Sequence, residues 1–217
     1  MRLKNYILYS IIFLTGFIVN AQLESGLLLG LTNATTTDIN ATTDAAKGSL
    51  VFNTDTNQVY VFDGTSWNQM GQKTTYTGTF RISGSGTLSV SGIPFQPTSV
   101  SFVAYANVED FNIDSDNGTR NNETGLPNAY GSMKGFARDD NGSITEQVIF
   151  NGGSGNSIND ISRYASDSHS IGVRYANQNG DKLGLTTATV TAFTSTGFTL
   201  NTDNYADGVV VIYEAHR

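Results

Sequence analysis

The 217-residue sequence predicts an all-β protein: an antiparallel β-sandwich, jelly-roll-like, preceded by a small β-hairpin module and a cleavable signal peptide. Three observations lead there. The C-terminal stretch from Thr186 to Ala215 breaks into three short strands with turn signals between them. Val, Thr, Tyr and Phe are plentiful while good helix formers are scarce, which favours strands. Turn residues recur about every 8 to 12 positions from residue 74 onward, the spacing of sandwich strands.

The C-terminal strands are the clearest. In Thr187–Phe193, Val190 and Ala192 share one side and Thr189, Thr191 and Phe193 the other. Ser195-Thr196-Gly197 is a tight reversal, and Phe198 and Leu200 then share a face. Val209–Tyr213 is apolar on both faces, as in a central strand covered on two sides.

From the other end, Arg2 and Lys4 precede the apolar run Tyr6–Val19, and Val19-Asn20-Ala21 offers a cleavage site before Gln22. Residues 1–21 are therefore expected to be a signal peptide. The apolar run is shorter than the roughly 20 residues of a spanning helix, so no membrane span is expected after cleavage. Removal takes two of 12 cationic side chains and none of 19 carboxylates, moving the formal charge from -7 to -9. The expected destination is the extracellular space or cell surface, with the periplasm as the alternative.

Residues 22–46 combine Leu27, Leu28, Leu29 and Leu31 with a Thr/Asn/Ala stretch that sustains no amphipathic period, and read as an extended arm. Residues 47–70 read as a hairpin module. Ser49–Phe52 and Gln58–Phe62 are strands joined by Asn53-Thr54-Asp55-Thr56-Asn57, residues that hydrogen-bond their own backbone. Asp63-Gly64 turns again before Trp67. This module resembles a short motif of Bacteroidota surface proteins and phage tail-fibre proteins, G-x-L-V-F-N-T…Y-x-F-D-G-T-x-W. The resemblance implies a structural connector, often beside an adhesive or oligomeric domain.

The sandwich is expected over 74–217, after a hinge at Gly71-Gln72-Lys73. Its strands are Thr75–Ile82, Thr87–Val90, Ser99–Ala106, Tyr130–Arg138, Ser143–Phe150 and Ser170–Tyr175, then the three at the C-terminus. Pro94 and Pro97 stiffen the bend before Ser99. Asp139-Asp140-Asn141-Gly142 is a hairpin turn. Residues 107–128 read as a long polar loop and 151–157 (NGGSGNS) as a flexible one. The frame Pro97-x-x-Val100-x-Phe102-x-Ala104, with Gly197-Phe198-Thr199-Leu200 and the final Val-Val-Ile-Tyr, is similar to sandwich domains of phage fibre tips and distantly to trimeric, sugar-binding H-type lectins.

Composition narrows the chemistry. There is no Cys, so disulfides, thiolate metal sites and thiol nucleophiles are excluded, as is a lipobox. Acidic charge without a basic stripe argues against nucleic acid. The one candidate metal site is in the long loop. Asp110, Asn112, Asp114 and Asp116 alternate, so an extended backbone would turn all four toward one Ca²⁺. The loop departs from an EF-hand, with Ser115 at the sixth place and Asn121 at the twelfth. No other cofactor is expected.

No catalytic residues are assigned. Asp167, Ser168 and His169 are adjacent, and neighbours on a strand point to opposite faces. Glu123, Glu146 and Glu214 show no pairing of the kind a glycosidase needs. Tyr105, Tyr130, Tyr164, Tyr175 and Tyr205, with many amides, are candidates for a sugar-binding surface. The expected role is a non-enzymatic structural or adhesion protein, exported and homo-oligomeric with a trimer favoured. Its partner class is a glycan or surface polymer. A lectin-like module and a phage-type fibre tip are the alternatives.

Overall fold

The computed structural model describes residues 30–111 and 124–217. The expected signal peptide, and Leu27 to Leu29 of the expected arm, lie outside the described residues. The chain divides into two compact units between Gln72 and Lys73.

The N-terminal unit holds β1 (Thr32–Ala34), α1 (Thr36–Ala41), β2 (Leu50–Asn53), β3 (Gln58–Phe62) and β4 (Trp67–Gln69), with sheet order β1-β2-β3-β4. The expected hairpin is β2–β3. It is widened by β1, parallel to β2, and by β4, antiparallel to β3. Where an extended arm is expected, α1 forms behind a capping box. The Thr35 side chain accepts from the Asp38 amide, and the Asp38 carboxylate accepts from the Thr35 amide. Six residues are too few to show a helical period, so only this cap betrays the helix. Asn53 is buried and builds the β2–β3 turn. Its side-chain oxygen accepts from the Asp55 and Thr56 amides, and its Nδ2 donates to Thr36 Oγ1 at 3.0 Å. Trp67 opens β4, packs on Phe62 at 5.2 Å and donates its indole N–H to the Thr42 carbonyl at 2.8 Å.

The C-terminal unit is an antiparallel sandwich. Its strands are β5 (Thr75–Ile82), β6 (Gly86–Ser91), β7 (Ser99–Tyr105), β8 (Ala129–Asp139), β9 (Ile144–Ser154), β10 (Ser157–Ser166), β11 (Ile171–Ala176), β12 (Lys182–Thr194), β13 (Gly197–Asn204) and β14 (Val209–His216). One sheet has six strands in the order β10-β9-β8-β7-β14-β5, the other four in the order β11-β12-β13-β6. Long meanders stay within each sheet (β7 to β10, β11 to β13), and β14 returns to lie between β5 and β7. Between the sheets, Phe198 of β13 meets Phe80, Phe102 and Tyr213 of the larger sheet at 6.0, 5.7 and 5.3 Å. Phe150, Val148, Val173, Ile171, Leu200 and Val211 continue this core and are fully buried.

The segment expected to be a flexible loop, 151–157, is strand and hairpin. β9 runs on to Ser154, and Gly155-Asn156 makes the reversal into β10. Gly152 is here for closeness, not looseness: a Cβ would fall 2.0 Å from the Tyr130 carbonyl oxygen on β8. β10 is absent from the expected strands because it turns polar residues inward. Ser162 is buried, donating to the Arg174 carbonyl and accepting from the Arg174 guanidinium. Inverted alternation hides a strand from any reading based on apolar period.

The expected burial of the final strand on two sides is met on one. Val209, Val211, Tyr213 and Ala215 of β14 are buried in the core, whereas Ile212 faces outward and is 48% exposed.

Candidate functional site

The outer face of the six-stranded sheet is the most unusual surface of the C-terminal unit. Strand register lays its side chains in rows. One row runs Thr79, Ile212, Val103, Lys134, Ile149, Ala165. A flanking row runs Thr77, Glu214, Ser101, Phe136, Gln147. On the other flank Tyr105 is opposite Ser132, which is in turn opposite Asn151, and beyond it Tyr130 and Ile161 face each other across Gly153. The centre forms a shallow depression of about 580 Å³ lined by Val103, Tyr105, Phe136 and Ile149, with Lys134 and Gln147. Ile149 is 61% exposed. The four-stranded sheet turns mainly hydroxyls and an amide outward, at Thr87, Ser89, Ser91, Thr189, Thr199 and Asn201, with Ala192 opposite Thr199 and Leu183 exposed near the start of β12.

A second constellation closes one corner of the sandwich. His169 Nδ1 is 2.8 Å from Ser166 Oγ, and Nε2 is 3.0 Å from Asp203 Oδ2. Thr187 donates to the other Asp203 oxygen at 2.6 Å. Burial pushes the Asp203 carboxyl up, but the bonds from Thr187 and His169 outweigh it and hold the group below its ordinary value. Nearby, Glu146 of β9 reaches across to β12. β11 pairs with β12 only as far as Ile171–Ala188, so the Val190 amide lacks a strand partner there and donates to the Glu146 carboxylate instead. Desolvation raises the Glu146 pKa, with the Val190 amide, Ser170 and the His169 charge opposing. A Ser–His–Asp line is the skeleton of an acyl-transfer site. Here Ser166 Oγ also accepts the Ser168 amide at 3.2 Å, the pattern of a side chain bracing a turn. The corner ties the β10–β11 turn to β13.

The sequence candidates fall unevenly. Asp110 is described and pairs with Arg81 at 3.1 Å; Asn112, Asp114 and Asp116 lie outside the described residues. Among the described residues, no three His, Cys, Asp or Glu side chains converge as metal ligands. Of the loop's base, Asn107 donates to the Leu126 and Ala129 carbonyls. The five candidate tyrosines are not one surface. Tyr175 is fully buried, and burial pushes its hydroxyl pKa up. Tyr164 is half-buried beside His169. Tyr205 lies between β13 and β14. Only Tyr105 and Tyr130 share a face, where they line a depression with Asn151 and Ile161. His169 Nδ1 is nearer to Ser166 Oγ, at 2.8 Å, than to Ser168 Oγ, at 3.3 Å, and its carboxylate partner is Asp203, 34 residues further on, rather than Asp167. No local signal in the chain joins Asp203 to His169. Glu123 is outside the described residues, and Glu146 and Glu214 are on opposite faces of the larger sheet.

Among the described residues, no helix is long and apolar enough to cross a membrane. Residues 19–85 match the family model described as a phage tail like trimerisation region. The match spans under a third of the chain. It contains the hairpin module, and it continues past the division at Gln72 to take in all of β5. No curated protein and no solved structure matches the chain. The likeness supports a structural, fibre-type protein that forms homo-oligomers.

Proposed function

We propose that this chain is an exported, non-enzymatic structural protein that assembles as a homotrimer and presents its C-terminal sandwich for adhesion at the cell surface. The observation that carries the reading is the similarity of residues 19–85 to a phage tail like trimerisation region. The basic, then apolar, N-terminus supports export. A surface rich in Thr, Ser and Asn suits contact with a glycan or surface polymer, the expected partner class.

Light scattering on the exported protein tests the assembly. The expected mass is three times that of one chain, independent of concentration in the micromolar range. A monomer at all concentrations refutes the trimer. Repeating the run with Ca²⁺ and with chelator tests the cation expected at Asp110, Asn112, Asp114 and Asp116. One observation favours a second reading, a secreted hydrolase: the Ser166–His169–Asp203 line. Covalent labelling of Ser166 by a fluorophosphonate, lost in His169→Ala, would establish that reading in place of the non-enzymatic one.

A further inference from the structure

We infer that the outer face of the six-stranded sheet is a contact surface for further copies of this chain, so that the sandwich takes part in the trimer alongside the N-terminal segment. The inference rests on the trimeric reading above and adds to it a place.

The apolar content of this face is the first ground. Tyr105, Tyr130, Ile149, Ile161 and Ile212 are half of the large exposed hydrophobic residues among those described, and all five belong to it. Scattered apolar residues need no explanation, but a contiguous patch marks an interaction site. The other sheet of the same unit builds its solvated face mainly from Thr, Ser and Asn, and of the large hydrophobics in its strands only Leu183 is exposed among the described residues. Five on one face against one on the other is the difference. β14 supplies the sharpest case. Its pattern is that of a strand covered on both sides, yet this chain covers only one.

Charge and continuity point to a second copy as the occupant. Arg81, Lys134, Arg138 and Arg163 occupy outward positions on this face, in a chain of net charge -7. Against them stand Glu214, the Asp110 that pairs with Arg81 and the Asp140 that pairs with Arg138 at 2.9 Å, which leaves Lys134 and Arg163 without an ion pair among the described residues. Other carboxylates gather in turns and strand ends, at Asp167, Asp181, Asp203 and Asp207. A threefold ring is built from heterologous contacts, in which one surface meets a different surface of the neighbour. An apolar face that carries the unpaired cations Lys134 and Arg163, and acidic turns on the same chain, are suited to that arrangement. The trimerisation-like segment also runs without a break into β5, an edge strand of this same sheet, whose Thr77 and Thr79 are opposite Glu214 and Ile212. Size agrees as well. Six strands about 4.8 Å apart, each 7 to 11 residues long at about 3.4 Å per residue, make a face of roughly 900 Å² in projection. That is close to the roughly 800 Å² a standard interface takes from each partner.

The absence of Cys makes the test direct, because a single introduced thiol is the only one in the chain. Ile149→Cys places it at the centre of the face, and Ser89→Cys on the outer face of the other sheet. Both native side chains are exposed in the single chain, so neither change disturbs the core. In the native full-length trimer, maleimide should label the thiol of Ile149→Cys at least about tenfold more slowly than that of Ser89→Cys, as expected of a side chain in a water-excluding interface. The difference should vanish in denaturant. Equal labelling rates in a protein that light scattering shows to be trimeric would overturn the inference and leave the trimer standing. A monomeric wild type would instead overturn the reading it rests on. The pair Ile149→Glu and Ile212→Glu supplies an independent check. The double variant should keep its far-UV spectrum but dissociate at a protomer concentration at least about tenfold higher, since charges enter an interface core that excludes them. Unchanged dissociation would refute the contact.

Discussion

Phe198→Ala should be among the most damaging single substitutions in the C-terminal unit. Phe198 is the aromatic that β13 contributes to the sandwich centre, and it has no exposed surface. Three rings of the opposite sheet surround it, those of Phe80, Phe102 and Tyr213, each at a steep angle of 70 to 84°. Truncating a buried Phe removes its transfer free energy and leaves a cavity that the surroundings only partly fill, about 3–5 kcal/mol in all. Edge-to-face pairs add about 0.5–1.5 kcal/mol each beyond area, so losing three of them places this site in the upper half of that range. The rigid strands on both sides resist collapse into the space. For a unit of this size, about 4 kcal/mol lowers the melting temperature by roughly 8–16 °C. Far-UV circular dichroism is the appropriate signal, because Trp67, the single tryptophan, reports only on the N-terminal unit. Protomer concentration must be held constant, since assembly stabilises the folded chain by mass action. Ser89→Ala, on an exposed face, should change stability by less than about 0.5 kcal/mol. A Phe198→Ala protein melting within about 3 °C of wild type would refute the placement of this ring at the sheet-to-sheet contact.

Gly135→Ala should lower the urea midpoint clearly, since its Cβ would fall 2.0 Å from the Ser170 carbonyl oxygen, where the chain enters β11 over β8; overpacking of this kind costs about 1–3 kcal/mol, and an unchanged midpoint would mean the sheets are further apart. Glu146→Gln should stabilise the protein at pH 7.5 and not at pH 4. The folded state raises the Glu146 pKa above its ordinary 4.5, so the fold holds that proton more tightly than the unfolded chain does. Ionisation then erodes stability as pH rises from about 4.5 through the folded value, and the loss is complete above it. Gln keeps an acceptor for the Val190 amide without the buried charge. A melting-temperature difference between variant and wild type that is independent of pH would contradict this account.

Much of the β-class was legible locally. Thr75–Ile82 reads as a strand from its alternation, and Val209–Tyr213 from its continuous apolar run; both are strands in the structure. The turn at Asp139 to Gly142 reads from its Asn-Gly pair, and Asn141 and Gly142 do adopt positive φ. Other elements gave no local signal. β10 turns Ser162 inward, where only Arg174, twelve residues on, makes a buried hydroxyl acceptable. Gly152 reads as looseness until β8 is seen against it.

By itself, then, the chain determined that this protein is built of antiparallel strands, that it has no thiol, that its net charge is acidic, and that its last strand is apolar on both sides. Only the tertiary structure decided that β14 lies between β5 and β7, that His169 meets Asp203, and that the uncovered apolar rows form one continuous face. The reason is physical. Alternation reports that a residue has a side, because successive side chains on a strand point oppositely. Which side is core, and which rows line up across the sheet, depends on partners about 140 residues apart in the chain, such as Tyr76 and Ala215, and no local pattern encodes that pairing.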